Sequence, residues 1–265
     1  PRGGGIQMAV VRANGYIHIP AEREGIEAGE EVRVRLTVPS ASIPRTLICV
    51  GVRDPTIAEL GNCLADAGYL LHCCKASTMG AVLALRAKTC HAASVSLAET
   101  EAAWNDRVLR YLPGVDLLRV QVARTELGLV SAGDLDTDTL ASLRFVNHPK
   151  GTAARALLDA WLDREGIDAG SIAGYGHEVK TPAAVAAAVG NGFADAGVCP
   201  AATAREAGLR FIPLGYETRD LLVREELAAD EGVACLIRSA RSPEFGERLR
   251  SLARCHADRQ AARAG

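Results

Sequence analysis

Aromatic residues are scarce in this chain, at 4% of its 265 residues. That scarcity argues against a base-stacking surface or an aromatic-lined sugar cleft. Charge of one sign is lacking too, because the formal net charge is −2 and no dense basic block occurs. We therefore expect no nucleic-acid partner.

Long hydrophobic runs and metal-ligand spacings are also absent from the sequence. A membrane-spanning helix needs ~18 consecutive apolar residues, so we expect no membrane partner. The eight cysteines contain no C-x-x-C pair, and most lie among apolar neighbours, as reduced cysteines do. These features favour a cytoplasmic location without a metal site. The first residue is Pro1, with no apolar signal segment after it, which leaves open that the chain is a piece of a longer protein.

Catalytic motifs are missing as well. The sequence has no nucleophile elbow, Walker A loop or dinucleotide-binding fingerprint, and its histidines lack the spacing of a triad or metal site. We expect neither catalytic residues nor metal ligands in this chain.

What the sequence does contain is an alternation of apolar strands and helices from residue 45 onward, typical of an α/β fold with a parallel sheet. Separate strands are predicted over residues 117–122, 128–131, 172–175, 209–214 and 219–223, with hinge crossings near 120–132 and 215–223. Residues 1–43 indicate a small β unit, in which Asn14-Gly15 forms a turn between strands at 6–11 and 16–19.

Four predicted helices begin with a polar cap directly after a strand, at Asp54, Ser77 or Thr78, Thr152 and Thr181. Helix starts at the carboxyl ends of strands converge on the place where α/β sheets bind ligands. Their free N–H groups and positive dipole ends suit a small anion, with no ring of lysines nearby. The same residue types cap helices that bind nothing, so both interpretations stay open.

Four further polar residues are predicted to have local roles. Arg155 and Asp159 have i,i+4 spacing and predict a surface salt bridge. Asp195 interrupts an apolar strand and is expected to form local hydrogen bonds at the strand start. Ser96 begins a Ser-Leu-Ala-Glu run that predicts a capping box and a new helix.

Several motifs in order resemble a known family. They are Arg144-Phe145-Val146-Asn147 with Gly151-Thr152-Ala153-Ala154-Arg155, Ala76-Ser77-Thr78-Met79-Gly80, Ala194-Asp195-Ala196-Gly197-Val198, and Gly208-Leu209-Arg210-Phe211-Ile212-Pro213-Leu214. Together they span roughly residues 45–255 and resemble the periplasmic-binding-protein-like domain fused to molybdopterin biosynthesis proteins of the MoeA family. Residues 1–43 are similar to the C-terminal β domain of MoeA proteins, through residues 13–20 and 25–32.

The resemblance implies a two-lobed type II periplasmic-binding-protein-like fold preceded by a small β domain. Residues 1–43 would be the β domain and residues 44–265 the binding domain, with lobe 1 at about 45–120 and 220–265 and lobe 2 at about 125–215. The implied function is non-catalytic binding of a molybdate- or tungstate-like oxyanion, or of a pterin-related ligand, within a molybdopterin molybdenumtransferase-like protein. The catalytic region of such a protein is absent from this chain, which would need no cofactor and would form a homo-oligomer through the parent protein.

The ligand-binding residues carried over from the resemblance are Asp54, Ser77, Thr78, Thr152, Arg155 and Thr181. The loop at 151–155 departs from the family's Gly-Ser-Gly-Thr-Arg, because alanines stand at positions 153 and 154. Two alternatives remain: a degenerate binding fold with a collapsed apolar cleft, acting as a structural or oligomerisation module, and the effector domain of a transcription regulator.

Overall fold

The computed structural model describes residues 13–251, except 28, 53, 101–103, 105–106, 136–139 and 141. The strands are β1 (Gly15–Ile17), β2 (Val34–Leu36), β3 (Thr46–Gly51), β4 (Leu70–Lys75), β5 (Ala92–Ala98), β6 (Leu117–Ser131), β7 (Phe145–Val146), β8 (Ala196–Pro200) and β9 (Arg210–Arg224). The helices are α1 (Pro55–Asp66), α2 (Thr78–Arg86), α3 (Ala153–Glu165), α4 (Pro182–Gly190), α5 (Ala201–Glu206) and α6 (Glu231–Arg241), and residues 243–251 are also helical. The predicted α/β class is confirmed.

Seven strands form one mixed sheet in the order β4-β3-β5-β9-β6-β8-β7. β3 pairs in parallel with β4 and β5, and β7 pairs in parallel with β8. The pairs β5–β9, β9–β6 and β6–β8 are antiparallel. The prediction of a parallel sheet is therefore only partly right, because two long antiparallel strands join two parallel groups.

The two long strands β6 and β9 run through the middle of the sheet and pair with each other from Leu117–Arg224 to Ser131–Arg210. Each was predicted as two separate strands, and the structure corrects this. The breaks in apolar pattern coincide with register shifts at 121/123 and 127/128. At the second shift, a Cβ on Gly128 would lie 2.3 Å from the carbonyl oxygen of Ile212, so the close approach of the strands requires glycine.

Helices cover the two ends of the sheet and create separate apolar cores. Around β3 and β5, one core contains residues of α1 and α6 and another contains residues of α2. Around β6 and β8, one core contains residues of α3 and another contains residues of α4 and α5. The sheet is thus continuous, while its apolar cores form two groups, one on each side of the long strand pair.

Local sequence explains the helix starts that face the gap between these groups. In α1, the carboxylate of Asp54 accepts a hydrogen bond from the N–H of Ile57, and Pro55 occupies the first helical position. Ile57, Leu60 and Leu64 then recur on one buried face. α3 ends at Gly166, whose φ of 68° gives the left-handed C-cap.

Two more sequence-based predictions are wrong. Ser96 does not open a helix, because it lies inside β5, opposite Arg219 of β9. Residues 172–175 do not form a strand but follow the 3-10 helix Ala169–Ser171 as a turn. The predicted strand at 6–11 lies outside the described residues. The short β1 and β2 pair with each other in a separate two-stranded sheet.

Candidate functional site

A cavity of about 560 Å³ lies between the two groups of apolar cores. It adjoins the carboxyl ends of the parallel strands, since its lining residues include Val52 after β3, Ser77 after β4 and His148 after β7. This position is where ligands bind in α/β sheets. The polar or charged residues that line it are Ser77, Thr78, Ser96, Arg107, His148, Lys150, Thr152, Lys180, Glu217 and Arg219.

The start of α2 forms one wall. Ser77 is its N-cap, and the Ser77 hydroxyl accepts a hydrogen bond from the N–H of Gly80 at 3.1 Å. Thr78 is buried, and its hydroxyl donates to the carbonyl of Ser96 at 3.1 Å and accepts from the N–H of Ser96 at 3.2 Å. Thr78 therefore joins α2 to β5 with its side chain, while the first N–H groups of the helix remain available because they have no intrahelical partner.

The start of α3 forms the facing wall. Thr152 caps the helix by accepting from the N–H of Arg155 at 3.3 Å, and its hydroxyl donates to the carbonyl of Pro149 at 2.9 Å. Ala153 and Ala154 are buried and line the cavity beside it. The Thr152 hydroxyl is thus engaged within its own turn, so this wall offers a ligand backbone N–H groups at a positive helix end.

Two of the other predicted site residues lie beside the cavity without lining it. Thr181 caps α4 by accepting from the N–H of Ala184 at 3.2 Å, while its neighbours Lys180 and Pro182 line the cavity. Asp54 accepts from Nε of Arg219 at 2.8 Å, and Arg219 is a lining residue. Asp54 therefore orients the guanidinium of Arg219, which lines the cavity, in addition to capping α1.

Arg155 has a different environment from the one predicted. Its side chain is only 5% exposed, and Nε lies 2.8 Å from the carboxylate of Asp159. The guanidinium also stacks on the Tyr175 ring at 4.2 Å and lies 3.7 Å from the carboxylate of Glu178. The predicted i,i+4 salt bridge forms, but its arginine is buried rather than on the surface. Arg155 is not among the residues that line the cavity.

Cations that the sequence did not indicate as site residues surround the cavity. They are Arg107, Lys150, Lys180 and Arg219. Within the described ranges, neither lysine ammonium has a carboxylate within 4.0 Å, whereas Arg107 donates to the carbonyl of Gly151 at 2.5 Å. The sequence analysis predicts no ring of lysines near the helix starts, and the structure corrects the weight given to lysine by placing two of them, Lys150 and Lys180, beside the cavity. Lys150 and Lys180 lie two residues and one residue before the N-caps Thr152 and Thr181. That proximity is the feature of the sequence that could have identified them.

β9 brings a carboxylate and a guanidinium to the same cavity. Oε1 of Glu217 accepts from the hydroxyl of Ser96 and from Nη2 of Arg219, the latter at 3.4 Å. Nη1 of Arg219 is buried and has no hydrogen-bond partner within the described part of the chain. Oε2 of Glu217 likewise has no hydrogen bond to any described residue. The pair therefore contains one guanidinium nitrogen and one carboxylate oxygen without a hydrogen bond to a described residue.

His148 lies in the floor of the cavity with 4% of its surface exposed. Its Nε2 lies 3.0 Å from the carbonyl of Val198, and a carbonyl can only accept, so Nε2 carries the proton. Burial lowers the pKa of His148, which keeps the ring neutral near pH 7. Nδ1 is then an acceptor, and no described residue donates to it.

Asp195 lies outside the cavity and has the local role predicted for it. Its carboxylate accepts from the backbone N–H of Arg144 at 2.8 Å and from the guanidinium of that arginine at 2.6 Å and 3.0 Å. The side-chain and then the backbone hydrogen bonds of Arg144 lower the pKa of Asp195 to about 2. This interaction fixes the start of β8 next to β7.

The described residues contain neither a metal-binding cluster nor a membrane-spanning helix. Across the described residues, no group of three or more His, Cys, Asp or Glu side chains is arranged to hold a metal ion. The helices in the same part of the chain are too short or too polar to cross a membrane.

The cavity lies at the carboxyl ends of strands, between two groups of apolar cores that the paired strands β6 and β9 connect. This arrangement defines a type II periplasmic-binding-protein-like domain. Residues 62–241 match the family model described as the PBP superfamily domain, and the chain belongs to this superfamily. Residues 2–37 match a second model, the MoeA C-terminal region (domain IV).

One curated protein and several solved structures are similar to this chain. The uncharacterized protein YvgK of Bacillus subtilis is 39% identical over 83 residues, which cover 31% of this chain and 27% of that protein. The match thus spans about a quarter of the length of the curated relative. A LysR substrate-binding domain of a periplasmic protein from Wolinella succinogenes has a TM-score of 0.56 at 11% identity, covering 78% of this chain and 99% of that chain. An ABC-type phosphate transport receptor from Vibrio cholerae has a TM-score of 0.56 at 12% identity, covering 76% and 96%. These structures show the shared fold.

Proposed function

We propose that this chain is a small-ligand-binding domain whose ligand is an anion held in the interlobe cavity. The observation that carries the proposal is the set of four cations, Arg107, Lys150, Lys180 and Arg219, around a cavity with one carboxylate, Glu217. The starts of α2 and α3 add backbone N–H groups and the positive ends of two helix dipoles. All of these groups favour negative charge in the same space.

The two lysines contribute most directly to this preference. Arg219 is already paired with Asp54 at 2.8 Å and with Glu217 at 3.4 Å, so much of its charge is compensated. Lys150 and Lys180 have no carboxylate partner within the described residues and line the cavity. A bound anion would therefore form charge-assisted hydrogen bonds with these ammonium groups without first breaking an ion pair to a described residue.

The biological setting of the proposal is molybdenum cofactor synthesis. Its support is the match of residues 2–37 to the MoeA C-terminal region, on the same chain as the binding domain. Within that setting the ligand would be a molybdate- or tungstate-like oxyanion, or a pterin-related anion. The chain would bind this ligand without transforming it, as one part of a larger molybdopterin molybdenumtransferase-like protein.

The alternative of a degenerate structural module predicts a collapsed apolar cleft. The cavity of about 560 Å³ with charged walls differs from that expectation. The solved structures of similar fold include both a transport receptor and a LysR substrate-binding domain, so the fold is compatible with transport and with regulation. The proposal of anion binding therefore rests on the lining residues.

The test is isothermal titration calorimetry with molybdate, tungstate, phosphate, sulfate and pterin-6-carboxylate. We expect at least one of these anions to bind, and we expect Lys150→Gln and Lys180→Gln each to weaken binding about tenfold, the effect of losing one charge-assisted hydrogen bond. Lys88→Gln is the matched control, because it removes the same charge from a lysine that pairs with Glu226 at 3.2 Å and does not line the cavity. Absence of heat with every anion, or equal effects of all three variants, would refute anion binding here.

A further inference from the structure

The cavity contains acceptors as well as cations, and the acceptors restrict the ligand more than the cations do. Glu217 has a carboxylate oxygen, Oε2, with no hydrogen bond to a described residue, and it lines the cavity. His148 also lines the cavity, and its protonated Nε2 bonds to the carbonyl of Val198, which leaves Nδ1 as an acceptor. Both groups need hydrogen-bond donors from a ligand that displaces the water around them.

A fully deprotonated tetraoxo anion cannot supply those donors. Molybdate and tungstate present only acceptor oxygens, so the Glu217 carboxylate would repel them and Nδ1 of His148 would remain unpaired. A ligand that covers these two groups without donating to them removes their hydrogen bonds to water without replacement, which is costly. The same walls accept an anion that carries N–H or O–H groups at a distance from its negative charge.

Volume gives an independent reason for the same choice. Pockets for organic ligands have volumes of roughly 300–1,000 Å³, and this cavity has about 560 Å³. A molybdate ion has five atoms and would leave much of that space to water. An organic body of one or two rings would fill more of that space.

The polar groups are distributed over the two walls in a way that fits such a ligand. The uncompensated cations, Lys150 and Lys180, belong to the loops before α3 and α4. The carboxylate of Glu217 lies on β9, where the Ser96 hydroxyl and Arg219 hold its other oxygen. The cations without a carboxylate partner thus lie on the loops before α3 and α4, whereas the one lining carboxylate lies on β9.

From these observations we infer that the ligand is an organic anion bearing N–H or O–H donors, with its negative group toward Lys150 and Lys180 and its donors toward Glu217 and His148. This inference rests on the proposed anion-binding function and narrows it, because it selects a pterin-like or hydroxylated organic acid over a bare tetraoxo anion. Glu217 is the specificity-determining residue in this arrangement.

The experiment compares two bicyclic carboxylates of similar size by calorimetry. Pterin-6-carboxylate has N–H donors on its ring system, and 2-naphthoate has none. We expect the protein to bind pterin-6-carboxylate at least tenfold more tightly than 2-naphthoate or molybdate. In Glu217→Gln we expect this preference to fall about tenfold, with molybdate binding unchanged or tighter because a repelling charge has been removed.

The control is Glu226→Gln, which neutralises an exposed carboxylate that pairs with Lys88 and Arg224 and does not line the cavity. It should leave both affinities and their ratio unchanged. If the protein binds 2-naphthoate and molybdate as tightly as pterin-6-carboxylate, the inference is wrong while anion binding stands. If Glu217→Gln weakens all anions equally, Glu217 does not determine specificity and the inference is likewise wrong. If no anion binds, both the inference and the proposed function fail.

Discussion

Replacing Arg155 by methionine separates a structural role for this residue from a ligand-binding role. The family resemblance implies that Arg155 binds the ligand, whereas the structure packs its side chain, 5% exposed, against Asp159 and the Tyr175 ring. Methionine retains much of the apolar stem and removes the guanidinium. The variant therefore tests the charged group with limited loss of packing.

The expected loss of stability follows from the contacts that disappear. The hydrogen bond to Asp159 at 2.8 Å is charge-assisted, and such bonds contribute about 1.5–3 kcal/mol. The stacking on Tyr175 adds about 1 kcal/mol. Asp159 is 44% exposed, so water can solvate its carboxylate in the variant and offset part of the loss. We expect the free energy of unfolding to fall by about 2 kcal/mol, which corresponds to a decrease in Tm of about 4–8 °C.

Urea denaturation followed by circular dichroism measures the stability, and calorimetry with pterin-6-carboxylate measures the binding. Arg164→Met is the matched control, because Arg164 belongs to the same helix, is 66% exposed and, among the described residues, forms an ion pair only with the adjacent Glu165. It should change stability by less than about 0.5 kcal/mol. If Arg155→Met is as stable as the control but no longer binds the ligand, the structural reasoning is refuted and the sequence-based role is correct.

Two further predictions concern pH and the central strand pair. The pKa of Asp195 is about 2 in the folded protein and about 3.9 in the unfolded chain. Its contribution to stability is therefore present above pH ~4 and is lost as the pH falls toward 2. Asp195→Asn should remove that part of the pH dependence of stability in urea titrations, and an unchanged profile would contradict the assignment. Gly128→Ala places a Cβ 2.3 Å from a carbonyl oxygen of the facing strand and should lower the free energy of unfolding by about 1–3 kcal/mol. Gly133→Ala, with no atom within 4 Å of its Cβ, should leave that free energy nearly unchanged. Equal stability of the two variants in chemical denaturation would show that the strands can separate.

The helix caps could be predicted from sequence because a cap is a local interaction. Asp54, Ser77, Thr152 and Thr181 each accept a hydrogen bond from an N–H three residues further on. No long-range information is needed to identify such a residue. The fold class was predictable for a similar reason, since the alternation of strands and helices repeats along the chain.

The electrostatics of the cavity depend on distant pairings and were therefore missed. Ser96 and Glu217 are 121 residues apart and meet because β5 and β9 are antiparallel neighbours. Lys150 and Lys180 belong to different cap turns, and only the topology places both beside the same cavity. The burial of Arg155 was not predicted, because i,i+4 spacing identifies a partner but does not show whether either side chain is buried.

The loop from residue 147 to residue 155 connects these observations to the ligand. Alanines at positions 153 and 154 remove a hydroxyl that the resemblance implies for this loop, yet the helix start still lines the cavity, and its backbone N–H groups do not depend on the side chain. The alanines affect selectivity, because the one hydroxyl left in the loop, that of Thr152, already bonds within its own turn. The loop can then hold a negative group mainly through helix N–H groups and the nearby Lys150. Charge attraction of this kind distinguishes poorly between anions. Discrimination must then come from the opposite wall, where Glu217 and Arg219 present fixed acceptors and donors, and this is why Glu217 rather than Thr152 is the residue whose substitution should change which anion binds.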